Sequence, residues 1–254
     1  MTRGGRDLES CDNFIANAFY RALQCFGNML FGMMFRVKVV GERNIPRSGP
    51  VVIAANHASY LDPVFVGLKM RRRVRFIAWD AIFRVPGISF LARALGAFPV
   101  RLEQFEKTTY EIALDVLKGG HVFGIFPDGR RTASGLIESP KAGAVRLALK
   151  AGAPIVPCSI IGSKEAWPIG RILWGGGEVT VIFHKAIPPT GSDAPAKASG
   201  ELIVKIGREI METVNAAIVS PPVMRGAPLV RAKFRKVYPS ASSATAHCGN
   251  PAAE

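Results

Sequence analysis

Short apolar runs alternate with longer amphipathic segments along most of this chain. Short apolar or alternating runs are typical of strands, whereas apolar residues spaced three and four apart are typical of helices. The predicted strands are 35–40, 51–55, 74–79, 98–100, 122–126, 155–161 and 178–184. The main predicted helices are 103–118, 141–151 and 201–219, and Asp62-Pro63 suits a helix start with Asp62 as its cap. The alternation predicts a single α/β domain with a mostly parallel sheet flanked by helices.

An apolar segment from Phe14 to Phe35 precedes the first predicted strand and carries one charge, Arg21. Its polar residues recur every three or four positions, which places them in one stripe of a helix. They are Asn13, Asn17, Arg21, Gln24 and Asn28. A spanning helix would expose Arg21 to hydrocarbon at a cost of about 3 kcal/mol. We therefore expect an amphipathic helix lying in the membrane interface; a single span and a core-packing helix are the alternatives.

The composition changes again near the end of the chain. Residues 220–254 are rich in Pro, Ala, Ser and basic side chains and show no periodicity, which is typical of a disordered tail. The prediction is therefore a membrane-associating segment over 1–35, a globular domain over 36–219 and a basic tail over 220–254.

The charge is strongly positive: 33 Lys+Arg against 19 Asp+Glu give a net +14. Such a surface attracts the phosphates of nucleic acid, of anionic lipid or of a phosphorylated substrate. The chain has no zinc-finger spacing, RNA-recognition aromatic block or clear helix-turn-helix signal. No nucleic-acid partner is therefore expected, and a basic nucleic-acid- or anionic-lipid-binding protein is kept as the non-enzyme alternative.

The cysteines indicate a reducing compartment. Cys11, Cys25, Cys158 and Cys248 show neither metal-ligand nor redox spacing, and residues 1–10 lack the pattern of a secretory signal. Together with the amphipathic segment, this predicts a monotopic or peripheral protein at the cytoplasmic face of a membrane.

The strongest chemical signal follows the predicted strand 51–55, in the sequence Asn56-His57-Ala58-Ser59-Tyr60-Leu61-Asp62. Histidine is the usual general base near neutral pH, and a nearby carboxylate can orient its imidazole. A His–Asp pair at this spacing also occurs by chance. However, His57, Arg101 and Asp128 each directly follow a predicted strand. Ligands gather at the carboxyl ends of parallel strands, so this shared placement favours a catalytic interpretation.

No metal site is expected. The histidines, His57, His121, His184 and His247, lie far apart in the sequence, and no HExxH or CxxC motif occurs.

Four blocks in this order resemble the glycerolipid acyltransferase family, typified by 1-acylglycerol-3-phosphate (lysophosphatidate) acyltransferase. The first is the His57–Asp62 block, similar to the family's NH(Q/x)SxxD signature. The second runs from Gly96 to Arg101 and is similar to the family's glycine-to-arginine block. The others are Phe126-Pro127-Asp128-Gly129-Arg130-Arg131-Thr132, which resembles FPEGTRS, and Val156-Pro157-Cys158, which resembles IVP. Lys141-Ala142-Gly143 also resembles the lysine-glycine step that follows the third block.

The resemblance implies that His57 takes a proton from the acceptor hydroxyl, which attacks an acyl thioester, while Asp62 orients the imidazole. It implies that Arg101 and Arg131 bind the acceptor phosphate, since a guanidinium group can donate two parallel N–H hydrogen bonds to a phosphate. Asp128, Gly129 and Arg130 are then expected beside them in the substrate site.

The implied reaction moves a fatty acyl group from acyl-CoA or acyl carrier protein to a lysophospholipid, most simply 1-acylglycerol-3-phosphate, to give phosphatidic acid. The expected partners are membrane lipid, the lysophospholipid and the acyl donor. No cofactor other than this co-substrate and no metal are expected, and the oligomeric state is open.

Three positions depart from the family pattern: Ala58 replaces glutamine, Asp128 replaces glutamate and Arg130 replaces threonine. These departures keep a second acceptor class open, namely another lysolipid or alcohol. A non-catalytic relative should have lost His57 or Asp62, whereas a hydrolase could use the same pair to activate water. Five basic residues within 69–75 are interpreted equally well as a solvated edge or as a contact for anionic headgroups, coenzyme A or acyl carrier protein.

Overall fold

The computed structural model describes residues 32–84, 96–100, 105–166, 177–189 and 200–222, and the single positions 22, 24, 25, 27, 29, 89 and 92. The strands are β1 (Phe35–Val40), β2 (Val51–Ala55), β3 (Val74–Trp79), β4 (Ala97–Val100), β5 (Val122–Ile125), β6 (Ile155–Ile161) and β7 (Gly177–Phe183). The helices are α1 (Asp62–Lys69), α2 (Phe105–Lys118), α3 (Gly143–Ala151), α4 (Ser163–Ala166) and α5 (Gly200–Val219). Two short 3-10 helices cover Glu42–Asn44 and Asp80–Arg84.

The strands form one seven-stranded sheet in the order β1-β7-β6-β2-β5-β3-β4. In this sheet β6 and β7 pair antiparallel, and the other neighbours pair parallel. The predicted α/β fold with a mostly parallel sheet is therefore confirmed. Parallel strands need crossovers, and helices supply most of them, which explains why the apolar runs and amphipathic segments alternate along the chain.

Helices cover both faces of the sheet. On one face α2, α3 and α5 pack on Val52, Ala54 and Phe123. On the other, α1 packs through Phe65 and Val66 onto a second cluster. The central strand β2 is buried along its whole length, as expected for a strand covered on both sides.

The predicted start of α1 is partly wrong. Pro63 does lie in the first turn, but the N-cap residue is Leu61 and Asp62 is already helical. The Asp62 carboxylate turns back to accept the N–H groups of Ala58 and Ser59 instead of capping its own helix. This reversal is what makes Asp62 available to the loop that precedes it.

Neither interpretation of the basic run within 69–75 describes all of its members. Arg71 is exposed, whereas Arg72 donates to the carbonyl oxygens of Pro46, Gly49 and Gly120. Arg75 is buried within β3. Much of this positive charge therefore holds the fold together.

No helix in the described ranges is long and apolar enough to span a membrane. Most of the predicted N-terminal segment and nearly all of the predicted tail lie outside the described residues, and the three-part division of the chain stays a prediction.

A buried hydrogen-bond chain ties α5 to the antiparallel pair of strands. The Ser159 hydroxyl donates to the Val214 carbonyl oxygen at 3.1 Å and accepts from Nε2 of His184 at 2.7 Å. Burial lowers the pKa of His184 because a charged imidazolium loses hydration there. The neutral form of His184 is therefore the one that the fold favours.

This arrangement predicts a loss of stability on mild acidification. A histidine in the unfolded chain takes up its second ring proton at about pH 6.5, whereas His184 in the folded protein takes it up only at lower pH. Between these two pH values the unfolded state binds the proton and the folded state does not. The free energy of unfolding therefore decreases as the pH falls through this range. The melting temperature of the wild type should fall more steeply from about pH 7 to about pH 5 than that of His184→Gln. Parallel curves for the two proteins would contradict this role of His184.

Candidate active site

Three strands that lie side by side, β6, β2 and β5, bring the first, third and fourth sequence blocks to one edge of the sheet. The first-block loop, residues 56–61, follows β2. The third-block loop, residues 126–142, follows β5. Both leave the carboxyl ends of their strands, where open α/β sheets bind ligands.

His57 and Asp62 form a direct hydrogen bond. Nδ1 of His57 lies 2.8 Å from Oδ2 of Asp62, and the exposed fractions of the side chains are 14% and 0%. Two backbone N–H groups, of Ala58 and Ser59, reach the same Oδ2 at 2.7 Å. An oxygen that accepts two backbone N–H groups has no proton to donate to the imidazole, so Nδ1 is assigned the proton and Nε2 is left as an acceptor.

Nε2 of His57 has no hydrogen-bond partner among the described residues. The imidazole is stacked on the Phe126 ring, with centroids 4.0 Å apart and planes 14° apart. Phe76 of β3 stacks on Phe126 in turn, at 5.7 Å. These two rings form an aromatic shelf that covers one face of the imidazole and restricts its rotation.

Asn56 fixes the start of the first-block loop. Its side-chain amide donates to the carbonyl oxygens of Ile160 and Gly135, and its Oδ1 accepts the Ile160 N–H at 2.7 Å. The side chain thus continues the pairing with β6 after the β2 backbone has left the sheet. His57 follows immediately, so its backbone is held at the sheet edge.

The third-block loop closes over the first. The Thr132 N–H donates to the His57 carbonyl oxygen at 2.8 Å. Asp128 is buried, and its two carboxylate oxygens accept the N–H groups of Glu138 and Ser139 at 3.2 and 2.7 Å. Asp128, predicted in the substrate site, is thus engaged with the backbone of its own loop.

The remaining predicted residues of the third block make different contacts. Arg131 stacks on Tyr60 of the first-block loop, with Cζ 3.8 Å from the ring centroid. Arg130 instead pairs with Glu138 of its own loop at 3.4 Å. Gly129 has a φ of 66° at the turn, a conformation that glycine adopts without strain. Arg101 lies outside the described residues.

Cys158 of the fourth block is buried close to the His–Asp pair. Burial and the negative charge of Asp62 both raise the pKa of its thiol. The thiol therefore stays protonated at neutral pH, which disfavours it as a nucleophile. Among the described residues, no group of three His, Cys, Asp or Glu side chains could hold a metal ion.

Comparison with known proteins shows similarity to acyltransferases. Residues 36–161 match the family model described as Acyltransferase. A 1-acyl-sn-glycerol-3-phosphate acyltransferase of Bacillus subtilis is 29% identical over 153 residues, which cover 59% of this chain and 73% of that protein. The chloroplastic 1-acyl-sn-glycerol-3-phosphate acyltransferase LPAT1 of Arabidopsis thaliana is 29% identical over 163 residues, 63% of this chain and 46% of that protein. The chain spans about half the length of the chloroplast relatives that it matches.

A solved structure has the same fold. The crystal structure of the 1-acyl-sn-glycerophosphate acyltransferase PlsC from Thermotoga maritima superposes with a TM-score of 0.66 and 27% identity, and covers 83% of this chain and 86% of that one. Residues 36–161 therefore form a domain of the acyltransferase family, whose model they match, and the chain shares the fold of that solved enzyme. The Bacillus subtilis and Arabidopsis thaliana relatives are both named as 1-acyl-sn-glycerol-3-phosphate acyltransferases.

Sequence reasoning missed several residues that shape the site. Phe126 and Thr132 lie inside the third block and Tyr60 inside the first, so the blocks contained them but did not indicate their contacts. Asn215 of α5 carried no signal at all. Its side-chain amide bonds both the N–H and the carbonyl oxygen of Ile137, each at 2.9 Å, which anchors the third-block loop to a helix beyond the matched family region.

Substitution of Gly124 should damage the site through the aromatic shelf. A Cβ at Gly124 would overlap the buried ring of Phe76, which has no room to move aside. Gly124→Ala should therefore destabilise the fold by about 1–3 kcal/mol and displace Phe126 beneath His57. We expect a lower melting temperature together with a lower activity.

A matched control is Gly143→Ala, because a Cβ at that exposed helical position meets nothing within 4 Å. If Gly124→Ala melted and reacted like the wild type, the shelf would not depend on this glycine.

Proposed function

We propose that this protein transfers a fatty acyl group from an acyl thioester to the free hydroxyl of a lysophospholipid, with 1-acylglycerol-3-phosphate as the acceptor and phosphatidic acid as the product. The single observation that carries the proposal is the His57 imidazole, whose Nδ1 is held by Asp62 at 2.8 Å while Nε2 is free of described partners. Family membership and the names of the matched relatives support the reaction and the acceptor.

In the proposed mechanism Nε2 of His57 accepts the proton of the acceptor hydroxyl as its oxygen attacks the thioester carbonyl. Asp62 keeps the proton on Nδ1 and stabilises the imidazolium that forms. The imidazolium then returns a proton to the departing thiolate. The protonated, buried Cys158 offers no competing nucleophile, so the transfer is direct.

The two arginines of the third block have different parts in this proposal. Arg131 lies against the first-block loop and binds the acceptor phosphate. Arg130 is already paired with Glu138, so its charge is less available to bind the acceptor phosphate. Asp128 shapes the loop by accepting its backbone N–H groups, and Gly129 provides the turn. Arg101 is proposed as the second phosphate ligand on the family resemblance alone.

Asp128, which replaces the family's glutamate, therefore holds the third-block loop in shape through backbone hydrogen bonds. The positive charge added by Arg130 is paired with the carboxylate of Glu138. Neither departure requires a different acceptor. Acyl-CoA and acyl carrier protein are both kept as donors, and no further cofactor is proposed.

We also propose that the N-terminal segment lies on the cytoplasmic face of a membrane. The Gln24 side chain donates to the carbonyl oxygens of Gly67 and Met70, at 2.8 and 2.7 Å, so a residue of the predicted polar stripe faces the protein. The exposed described positions are spaced as one side of a helix: Ala22, Cys25, Met29, Gly32 and Met33. Met29 and Met33 are 60% and 82% exposed, which suits insertion among lipid chains.

Removal of the His57 side chain tests the reaction. His57→Ala should lower acyl transfer from labelled acyl-CoA to lysophosphatidate by about a hundredfold or more while the protein still folds, since general-base catalysis contributes about that factor. His121→Gln, at the opposite edge of the sheet, should keep its activity. Activity above about a tenth of the wild type would refute the general-base assignment.

The same assay separates the acceptors and the alternatives. Wild-type protein should prefer lysophosphatidate to glycerol 3-phosphate and to neutral lysolipids. Release of free fatty acid without an acceptor would identify a hydrolase instead.

Two charges introduced on the exposed side of the N-terminal segment test the membrane role. Met29→Asp combined with Met33→Asp should weaken co-sedimentation with phosphatidylcholine–phosphatidylglycerol vesicles by about tenfold or more, because each methionine loses its apolar contact with lipid. The matched control is Val204→Asp with Val219→Asp, two exposed apolar positions on α5. Equal binding of the two double variants would exclude this segment as the membrane contact.

A further inference from the structure

We infer that Tyr60 is a positioning residue, which holds the Arg131 guanidinium against the first-block loop so that its N–H edge meets the phosphate of the acceptor. This inference rests on the proposed acyl transfer. It goes further by giving a task to a residue that the His–Asp chemistry does not use.

The contact joins two loops that leave different strands. Arg131 comes from the loop after β5, and its Cζ lies 3.8 Å from the centroid of the Tyr60 ring, in the loop after β2. At this distance a guanidinium and an aromatic ring attract each other. Both side chains are exposed, Tyr60 by 51%, so burial does not force them together. The contact therefore has to be favourable in its own right.

Stacking restrains the guanidinium but leaves its hydrogen-bonding groups free. The ring covers one face of the planar group, whereas its N–H bonds point outward in the plane. No described carboxylate lies within salt-bridge distance of Arg131. Its neighbour Arg130 has Glu138. Of the two adjacent arginines, Arg131 is thus the one whose orientation is set while its charge stays unpaired.

The position of Tyr60 links this restraint to the catalytic base. Tyr60 lies three residues after His57 in a loop whose Ala58 and Ser59 N–H groups are fixed by Asp62. Movement of this loop would therefore displace both the His57 imidazole and the Tyr60 ring that contacts Arg131. The stack therefore holds the proposed phosphate ligand beside the loop that carries the imidazole, which favours binding of the acceptor at that loop.

A double-mutant cycle with a conservative control tests the inference. Tyr60→Leu should raise the KM for lysophosphatidate about fivefold and leave kcat within about twofold, because it removes a ground-state contact of moderate strength. Tyr60→Phe keeps the ring and should behave as the wild type, since the Tyr60 hydroxyl has no described partner. In an Arg131→Ala background, Tyr60→Leu should add nothing further.

Equilibrium binding provides a readout that does not depend on turnover. Calorimetry with a soluble short-chain lysophosphatidate should show the same roughly fivefold weakening in Tyr60→Leu and none in Tyr60→Phe. If Tyr60→Leu raised KM equally with and without Arg131, or weakened vesicle binding while KM was unchanged, Tyr60 would act in another way and the inference would be wrong.

The two experiments also separate this inference from the proposed function. A wild type that binds lysophosphatidate but transfers nothing to it refutes acyl transfer, and the binding series still decides the role of Tyr60. Transfer by the wild type with unchanged binding and KM in Tyr60→Leu refutes only the positioning role. A wild type that neither binds nor acylates lysophosphatidate refutes both.

Discussion

The site depends on one carboxylate oxygen. Oδ2 of Asp62 accepts hydrogen bonds from Nδ1–H of the His57 ring and from two backbone N–H groups of the preceding turn, and Asp62 has no exposed surface. Burying a charge is costly unless hydrogen bonds compensate it, and here three donors converge on one atom. The same bonds that stabilise the charge determine the path of the first-block loop and the tautomer of the histidine. Loss of this carboxylate would affect the loop and the base together.

The other contacts at this edge of the sheet extend that arrangement outward. Asn56 holds the loop to β6, and the Thr132 N–H joins the third-block loop to the His57 carbonyl oxygen. Asp128 and Asn215 then fix the far part of the third-block loop, from within and from α5. The result is a support in which side chains bond backbone groups, while Nε2 of His57 and the guanidinium of Arg131 have no described hydrogen-bond partner and stay free for the proposed acceptor. Such support is what a positioned base requires.

Much of the fold was predictable because local patterns and tertiary structure agree. Each strand buried on both faces reads as an apolar run, as Val51–Ala55 does, and each covering helix reads as an amphipathic segment. The His–Asp spacing was also readable, since both residues belong to one short segment. Asp62 was misread as a helix cap because the sequence places it correctly for capping, but the His57 ring and two backbone N–H groups compete for its oxygen.

What the sequence by itself determined is the set of local features: the alternation of strands and helices, the blocks at strand ends and the pairing of His57 with a nearby carboxylate. Tertiary structure alone decided which residues meet across loops. The stack of Phe126 on His57, the contact of Arg131 with Tyr60 and the hydrogen bonds of Asn215 to Ile137 all join distant positions. Periodicity describes neighbours along the chain, whereas these contacts follow from the order in which the strands pair, and that order depends on packing of the whole sheet.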